Sequence, residues 1–356
     1  MKILMLIKKL HYSGAPKMFL WLAKSLADRG FDVTILTYKK NLYDVVPSNV
    51  KWVALDLENS GFLKIQYTIR KYLKTIKPDC CISFLLDSNI FNILACIGLK
   101  TKSIICERND PFRPKYYKLK IVHPLFRFAK GGVFQLPRVA EYYSNIKAPI
   151  AIIPNPVVDN HVSVDQYEKR PDIITTVGRI DLKQKRLDVL VKAFSIFHKQ
   201  KPEYKLFIYG DNRNLKDIAE LKSLIDLFKL DGKIVLKGYT ATPQDVMKNS
   251  KFFVMTSDFE GIPNSLIEAM SIGLPCIATD CRPGGAAFLI KNEKNGLLAS
   301  CGNVEDIAEK MLFMANNPAE ADRMGREAQK IVETYSEKKI ATLWEDYLKD
   351  LCNVSN

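Results

Sequence analysis

The chain has 356 residues, more than one hydrophobic core holds, because single cores stop growing at about 250–300 residues. Hydrophobic residues make up 47% and charged ones 26%, an ordinary globular balance, and the absence of any run of about 18 apolar residues excludes a membrane-spanning helix. The formal net charge of +14 is lopsided: residues 1–157 hold 25 Lys and Arg against 10 Asp and Glu, and the remainder 28 against 29. Such an excess either keeps the chain soluble or marks a surface that meets anionic material.

The opening MKILMLIKKL superficially resembles a leader peptide. Lys8 and Lys9 end its apolar run and no small-residue cleavage site follows, so a buried first strand over 3–7 and a cytoplasmic location are expected. A turn at His11-Tyr12-Ser13-Gly14-Ala15 leads into a helix opened by Pro16, a residue favoured at the first helical position because the amide there lacks a helical partner anyway. Phe19, Leu20, Leu22, Ala23 and Leu26 keep the helical period, Gly30 ends it, and 33–36 is the next strand. Strands over 80–86, 103–106, 132–135 and 150–153 follow, with helical stretches between most of them. The pattern predicts a parallel sheet covered on both faces.

Ile153-Pro154-Asn155-Pro156 and the polar stretch 159–172 predict a linker, which sets domains at 1–157 and 158–335. The second repeats the α/β pattern. Its strands are expected over 173–177, 205–209, 233–236, 252–255 and 275–278. Helices are expected over 187–198, 215–228, 265–271, 304–315 and 319–334, with an amphipathic segment at 337–351. Two doubly wound domains usually bind ligand in a cleft that both carboxyl sheet edges face. The eight cysteines lack zinc-like spacing and the four histidines are scattered. The cysteines therefore read as reduced core residues, and no metal site is expected.

The densest chemistry lies in Asp258-Phe259-Glu260-Gly261-Ile262-Pro263-Asn264-Ser265-Leu266-Ile267-Glu268-Ala269-Met270, after an apolar strand and leading into a helix. Asn264 or Ser265 reads as the cap, and Ser265 with Glu268 as a capping box. Glu260 then sits in the loop and Glu268 on the first helical turns. The helix start offers backbone amides and partial positive charge, which suit a diphosphate. A plain capped helix with a loop carboxylate fits the spacing equally well.

The resemblance to a known family decides between these. Glu260-x7-Glu268 with Gly261, Pro263, Asn264 and Ala269 resembles the signature of the family-4 retaining glycosyltransferases. Further similar segments fall in family order: Val177-Gly178-Arg179-Ile180 with Lys185, Ile208-Tyr209-Gly210-Asp211, Leu236-Lys237-Gly238-Tyr239, Pro283-Gly284-Gly285 and Asn295-Gly296-Leu297-Leu298. The resemblance implies the GT-B fold, two Rossmann-like α/β domains, with a final helix at 336–356 returning to the acceptor-binding N-terminal domain. It implies that Arg179, Lys185 and Glu260 carry catalysis. Arg179 and Lys185 would neutralise the donor diphosphate, Glu260 would contact the donor sugar, and Glu268 the ribose hydroxyls. Backbone around Gly261, Ile262, Asn264, Ser265 and Leu266 would meet the diphosphate and sugar, and Tyr239 would line the base pocket, although a buried structural tyrosine fits that position nearly as well. Gly14 resembles the family's glycine turn, whose amide approaches the donor phosphate. No cofactor and no metal are implied. The donor is expected to be a nucleotide-sugar, UDP-linked, carrying a hexose or N-acetylhexosamine.

Two departures bear on the acceptor side. Many relatives carry a histidine after the fourth N-terminal strand, where this chain has Cys106-Glu107-Arg108-Asn109-Asp110-Pro111. Glu107 or Arg108 is expected to face acceptor or donor sugar. Lys17 replaces a commonly acidic residue. Residues 112–130 interleave Lys and Arg with aromatics, which suits the surface of an anionic membrane, although a packed helix with solvated lysines explains them too. The expected acceptor is a polyprenyl-diphosphate-linked precursor of capsule, exopolysaccharide or a related glycan, at the inner face of the cytoplasmic membrane. No nucleic-acid partner is expected. The alternative on the same fold is a nucleotide-sugar epimerase. A Rossmann dehydrogenase is disfavoured because no G-x-G-x-x-G follows the first strand.

Overall fold

The computed structural model describes the chain apart from residues 11–13, 41–45, 109, 113–116, 159–161, 163, 212–213 and 353–356. His11, Tyr12 and Ser13 of the first turn, and Asn109, Arg113, Lys115 and Tyr116, therefore lie outside the described residues. Two compact units are present, Met1–Asn155 with Lys338–Asn356, and Pro156–Glu337.

In the first unit the described strands are β1 (Lys2–Ile7), β2 (Asp32–Thr37), β3 (Lys51–Ala54), β4 (Cys80–Phe84), β5 (Lys102–Cys106), β6 (Gly131–Phe134) and β7 (Ile150–Ile152). They form one parallel sheet in the order β3-β2-β1-β4-β5-β6-β7. β1 is buried from Ile3 to Ile7 and β4 along its whole length, as strands covered on both faces must be. Edge strand β3, half-exposed and four residues long, carries too little apolar signal to be seen in the sequence. The strand order reverses between β1 and β4, the place where open α/β sheets leave a crevice at their carboxyl edge.

Helices fill the crossovers. The first, Gly14–Ala27, begins at Gly14 rather than Pro16. Helix Phe62–Ile76 buries Ile65, Ile69 and Leu73 on one stripe. Helix Leu86–Cys96 is buried on most sides, and its polar residues are internally bonded. Asn92 Nδ2 donates to Cys81 O at 2.8 Å, Ser83 Oγ at 2.9 Å and Ile104 O at 3.1 Å. This stitches the helix to β4 and β5, so the polar group is satisfied where water is excluded. The segment read as either membrane-facing or packed resolves into helix Tyr117–Val122 and a 3₁₀ turn, His123–Phe128. Leu119 and Phe126 are buried, while Ile121 and Phe128 are exposed.

The last helix, Glu337–Cys352, belongs to this unit from Lys338 onward. Ile340, Trp344 and Leu348, four residues apart, are buried, the spacing of one helical face. Arg29 pairs with Glu345 at 3.0 Å, and the Tyr347 hydroxyl donates to Pro149 O at 2.9 Å.

The second unit holds β8 (Ile173–Val177), β9 (Lys205–Tyr209), β10 (Ile234–Gly238), β11 (Phe252–Met255), β12 (Cys276–Thr279) and β13 (Leu297–Ala299). All pairings are parallel, in the order β10-β9-β8-β11-β12-β13. The reversal here lies between β8 and β11. Leu190, Phe194 and Phe197 of helix Leu187–Gln200 pack with Leu206, Phe252 and Met311 in one core. Among the described residues no helix is long and apolar enough to cross a membrane.

Trp344 is 1% exposed and Leu343 beside it 47%. Trp344→Ala should cost about 3–5 kcal/mol of stability, read from the urea midpoint, whereas Leu343→Ala should stay within about 0.5 kcal/mol.

Candidate active site

β8 and β11 flank the strand-order reversal of the second unit, and the segment that follows each carries the site. After β8 the chain turns at Asp181. Its Oδ1 accepts from the amides of Lys183 at 3.0 Å and Gln184 at 2.9 Å, and Lys185 N donates to Asp181 O at 2.9 Å. An Asp side chain bonded to its own backbone two and three residues on closes a tight turn, which here projects Gln184 and Lys185. After β11, Thr256 Oγ1 donates to the carbonyls of Lys185 and Arg186 at 3.0 and 3.1 Å. Asp258 N donates to Gln184 O at 2.8 Å. The two segments are thus sewn together by backbone contacts before any functional side chain meets another.

The side chains then converge. Lys185 Nζ lies 2.6 Å from Glu260 Oε1, with the two side chains 16% and 11% exposed. Ser257 Oγ donates to the same oxygen at 3.1 Å and Gln184 Nε2 at 3.4 Å. Arg179 donates from Nη2 to Gln184 Oε1 at 2.7 Å. Arg179, Gln184, Lys185 and Glu260 therefore form one chain of contacts. Beside it, Arg186, in a left-handed conformation at φ 50°, donates to Asp188 at 3.0 Å and Asp258 at 2.8 Å. The Asp188 carboxylate, with that of Asp258, pushes the Arg186 guanidinium above its ordinary pKa. Burial, with the nearby Glu260 charge, pushes the Cys281 thiol up to about 12, so it stays protonated at neutral pH.

Glu260 is fixed from the other side as well. Its amide donates to Arg282 O at 2.8 Å, and a Cβ added to Gly285 would lie 1.5 Å from Gly261 O. Only glycine permits that approach. The helix that follows, Asn264–Ser271, corrects the sequence expectation. Its N-cap is Pro263, with no side-chain cap, and Asn264 is already its first residue. Ser265 lies inside the helix and cannot close a capping box with Glu268. The first intrahelical bond runs from Ile267 N to Pro263 O at 3.2 Å, so the amides of Asn264, Ser265 and Leu266 lie ahead of it. Ile262 and Leu266 are buried, 5% and 0% exposed. Glu268 is half-buried on this helix. Tyr239 follows Gly238 at the end of β10 and is 60% exposed.

Among the expected residues of the first unit, Gly14 is exposed at the start of its helix. Glu107 is 1% exposed, turned into the protein, and its Oε1 accepts from Arg108 N at 2.9 Å. The Arg108 guanidinium lies 4.3 Å from the centre of the Phe84 ring and donates to Asn155 Oδ1 at 3.1 Å. Burial lowers its pKa. Sequence reasoning missed Gln184, Ser257, Thr256 and Arg186, and gave Asp258, at the head of the motif, no role. The only local signal was Asp181 three residues before Gln184, an Asx-turn spacing. The rest depend on which strands are neighbours.

The glycosyl transferases group 1 family model matches residues 159–331, a span inside the unit that holds Lys185 and Glu260. The second unit, Pro156–Glu337, matches this family over nearly its whole length. Over 190 residues, 52% of the chain and 38% of the relative, the chain is 34% identical to the poly(ribitol-phosphate) alpha-N-acetylglucosaminyltransferase of Staphylococcus aureus. The chain thus spans well under half of that protein. It is 28% identical, over 82% of itself and 79% of the relative, to the Campylobacter jejuni GalNAc-alpha-(1->4)-GalNAc-alpha-(1->3)-diNAcBac-PP-undecaprenol alpha-1,4-N-acetyl-D-galactosaminyltransferase. Anabaena Alr3699/HepE, solved in complex with UDP, shares the fold at TM-score 0.84 and 17% identity, covering 98% of this chain and 100% of that one. The GT-B architecture is thereby shown, while the group 1 match lies within the second unit.

Gly285→Ala should force the Gly261 segment away. A stability loss of about 1–3 kcal/mol is expected, and the melting midpoint should fall accordingly. Gly61→Ala, where an added Cβ meets nothing within 4 Å and φ is −70°, serves as the control.

Proposed function

We propose that the chain transfers a hexosyl or N-acetylhexosaminyl group from a UDP-sugar, with retention of configuration, to a lipid-linked or polysaccharide-precursor acceptor in cell-surface glycan assembly. The observation that carries this reading is the Lys185–Glu260 contact at the sheet reversal, with Arg179 one hydrogen-bonded residue away.

The chemistry follows from the groups present. Breaking the bond between sugar and diphosphate leaves growing negative charge on the leaving oxygens. Preorganised cations that meet this charge lower the barrier without reorganising. Lys185 has three N–H donors and spends one on Glu260, which leaves two for phosphate oxygens. Arg179 offers the planar fork that suits phosphate. In this reading these side chains, with the amides of Asn264, Ser265 and Leu266, carry the diphosphate charge, and no metal or cofactor is invoked. Lys185, Ser257 and Gln184 all reach Oε1 of Glu260, so Oε2 is the atom that receives a donor-sugar hydroxyl. Glu268 accepts from the ribose, and exposed Tyr239 lines the base.

The names of the relatives support the acceptor class, since one is a transferase to poly(ribitol-phosphate) and another is named for a PP-undecaprenol-linked glycan. The UDP in the Anabaena structure supports the donor. Such an acceptor places the work at the inner face of the cytoplasmic membrane. The relatives are transferases, and nothing in their names favours an epimerase.

UDP at about 100 times its dissociation constant should stabilise the protein by roughly 2.7 kcal/mol, and Glu268→Ala should shrink that shift. An undiminished shift in the variant would remove Glu268 from the ribose. Lys185→Ala should lower kcat by about 10²–10³, measured with a UDP-sugar panel. NMR of the product should show the anomeric configuration of the donor; inversion would refute the retaining assignment.

A further inference from the structure

The large apolar side chains that the first unit leaves in solvent are unevenly placed. Among its described residues, Leu63 is 81% exposed, Ile121 77%, Tyr67 67%, Phe62 49%, Ile97 48% and Phe128 46%. These six belong to the crossovers β3→β4, β4→β5 and β5→β6, whereas the unit's other two exposed large apolar residues, Ile152 and Leu343, lie on β7 and on the last helix. The three crossovers step the same way across the sheet, and right-handed connections therefore place them on one face. The contacts agree: helix Phe62–Ile76 touches helix Leu86–Cys96, which touches the turn His123–Phe128.

Helix Phe62–Ile76 organises this layer. Its inner stripe is Ile65, Ile69 and Leu73. Leu63, Tyr67, Lys71 and Lys74 lie at i, i+4, i+8 and i+11 on the opposite stripe and are all exposed, so apolar and cationic residues share the outward face. The helix carries Lys64, Arg70, Lys71 and Lys74 and no acidic residue. Arg70 Nη1 donates to Ala95 O at 2.8 Å and Ile97 O at 2.7 Å, which ties exposed Ile97 to the same flank.

Charge extends the pattern. Residues 62–130 hold 14 Lys and Arg against 4 Asp and Glu. Glu107 and Asp110 are each 1% exposed. Asp87 is paired with Lys8 at 3.2 Å and with Lys118, and Asp79 accepts from Lys2 N at 2.7 Å. Every carboxylate of this stretch is therefore buried or engaged, and the cations dominate.

We propose that this helix layer is a docking face for an anionic phospholipid bilayer, with Leu63 and Tyr67 entering the interfacial region and Lys64, Lys71 and Lys74 meeting lipid phosphates. The inference rests on the lipid-linked acceptor reading above and adds which face of the first unit meets the lipid. Apolar points spread over three helices, on a face of one charge sign, match a broad fluid partner. A tyrosine with an apolar ring and polar tip suits the head-group level.

The test is flotation of the full chain with phosphatidylcholine vesicles, with and without phosphatidylglycerol. The wild type should float only with phosphatidylglycerol, and less at high salt. Leu63→Ser/Tyr67→Ser and Lys64→Gln/Lys71→Gln/Lys74→Gln should each lower the bound fraction about tenfold. Both should keep the UDP-induced melting shift, which shows that they are folded. Variants that float as well as the wild type would overturn the proposal, as would a wild type indifferent to phosphatidylglycerol. A wild type that ignores vesicles but self-associates, with Leu63→Ser dissolving the assembly, would make the face a protein interface and overturn the lipid assignment. Failure of UDP to stabilise the wild type would strike the transferase reading and leave the flotation result standing.

Discussion

Lys185 and Glu260 are 75 residues apart in the chain and 2.6 Å apart in space. Taking a lysine and a glutamate mostly out of water is costly unless each finds the other together with further hydrogen bonds. Ser257 and Gln184 supply those bonds to Glu260. The pair therefore depends on two segments being held in register, which side chains alone do not achieve. Thr256 and Asp258 bond the backbone of residues 184–186, and Arg186 spans both segments through Asp188 and Asp258. Loosening any of these costs more than the contact itself, because a buried charge would lose its partner.

The sheet sets where that pair forms. β8 and β11 are neighbours although two strands intervene in sequence. Open α/β sheets bind ligands at the carboxyl edge of such a reversal, and here helix Asn264–Ser271 begins there, with its first amides. Glycines allow the crowding this requires. A Cβ on Gly210 would lie 2.3 Å from Gly178 O, and one on Gly285 would overlap Gly261 O. Cations, carboxylate and helix start thus share one short sheet edge, an arrangement suited to a diphosphate and the sugar it carries.

The two units divide the electrostatic work. The second carries nearly balanced charge and concentrates a few paired ions at its reversal point. The first holds the whole cationic excess, much of it on helices that also expose Leu63, Tyr67 and Ile121. Just beyond β5 it carries Arg108, packed on Phe84 at the end of β4 and bonded to Asn155. The two units thus differ in how charge is deployed, buried and paired in the second, exposed and diffuse in the first.

Much of this was legible in the chain by itself. Strands such as 173–177, 205–209 and 252–255 announce themselves because mostly covered strands are rich in apolar and β-branched residues, and Arg179, Lys185, Glu260 and Glu268 stood out through their resemblance to a family motif. Edge strands β3 and β13 were not visible, since four and three residues leave little pattern to read. The start of helix Asn264–Ser271 was misplaced because Asn264 and Ser265 have the chemistry of caps, whereas the helix begins one residue earlier, with Pro263 at the cap. Only the tertiary structure could show that Lys185 pairs with Glu260, that Glu107 turns inward, and that helix Phe62–Ile76 shows leucine and tyrosine to solvent. Periodicity tells a residue which side of its own helix it lies on; which side is covered depends on strand order, and strand order is a property of the whole sheet.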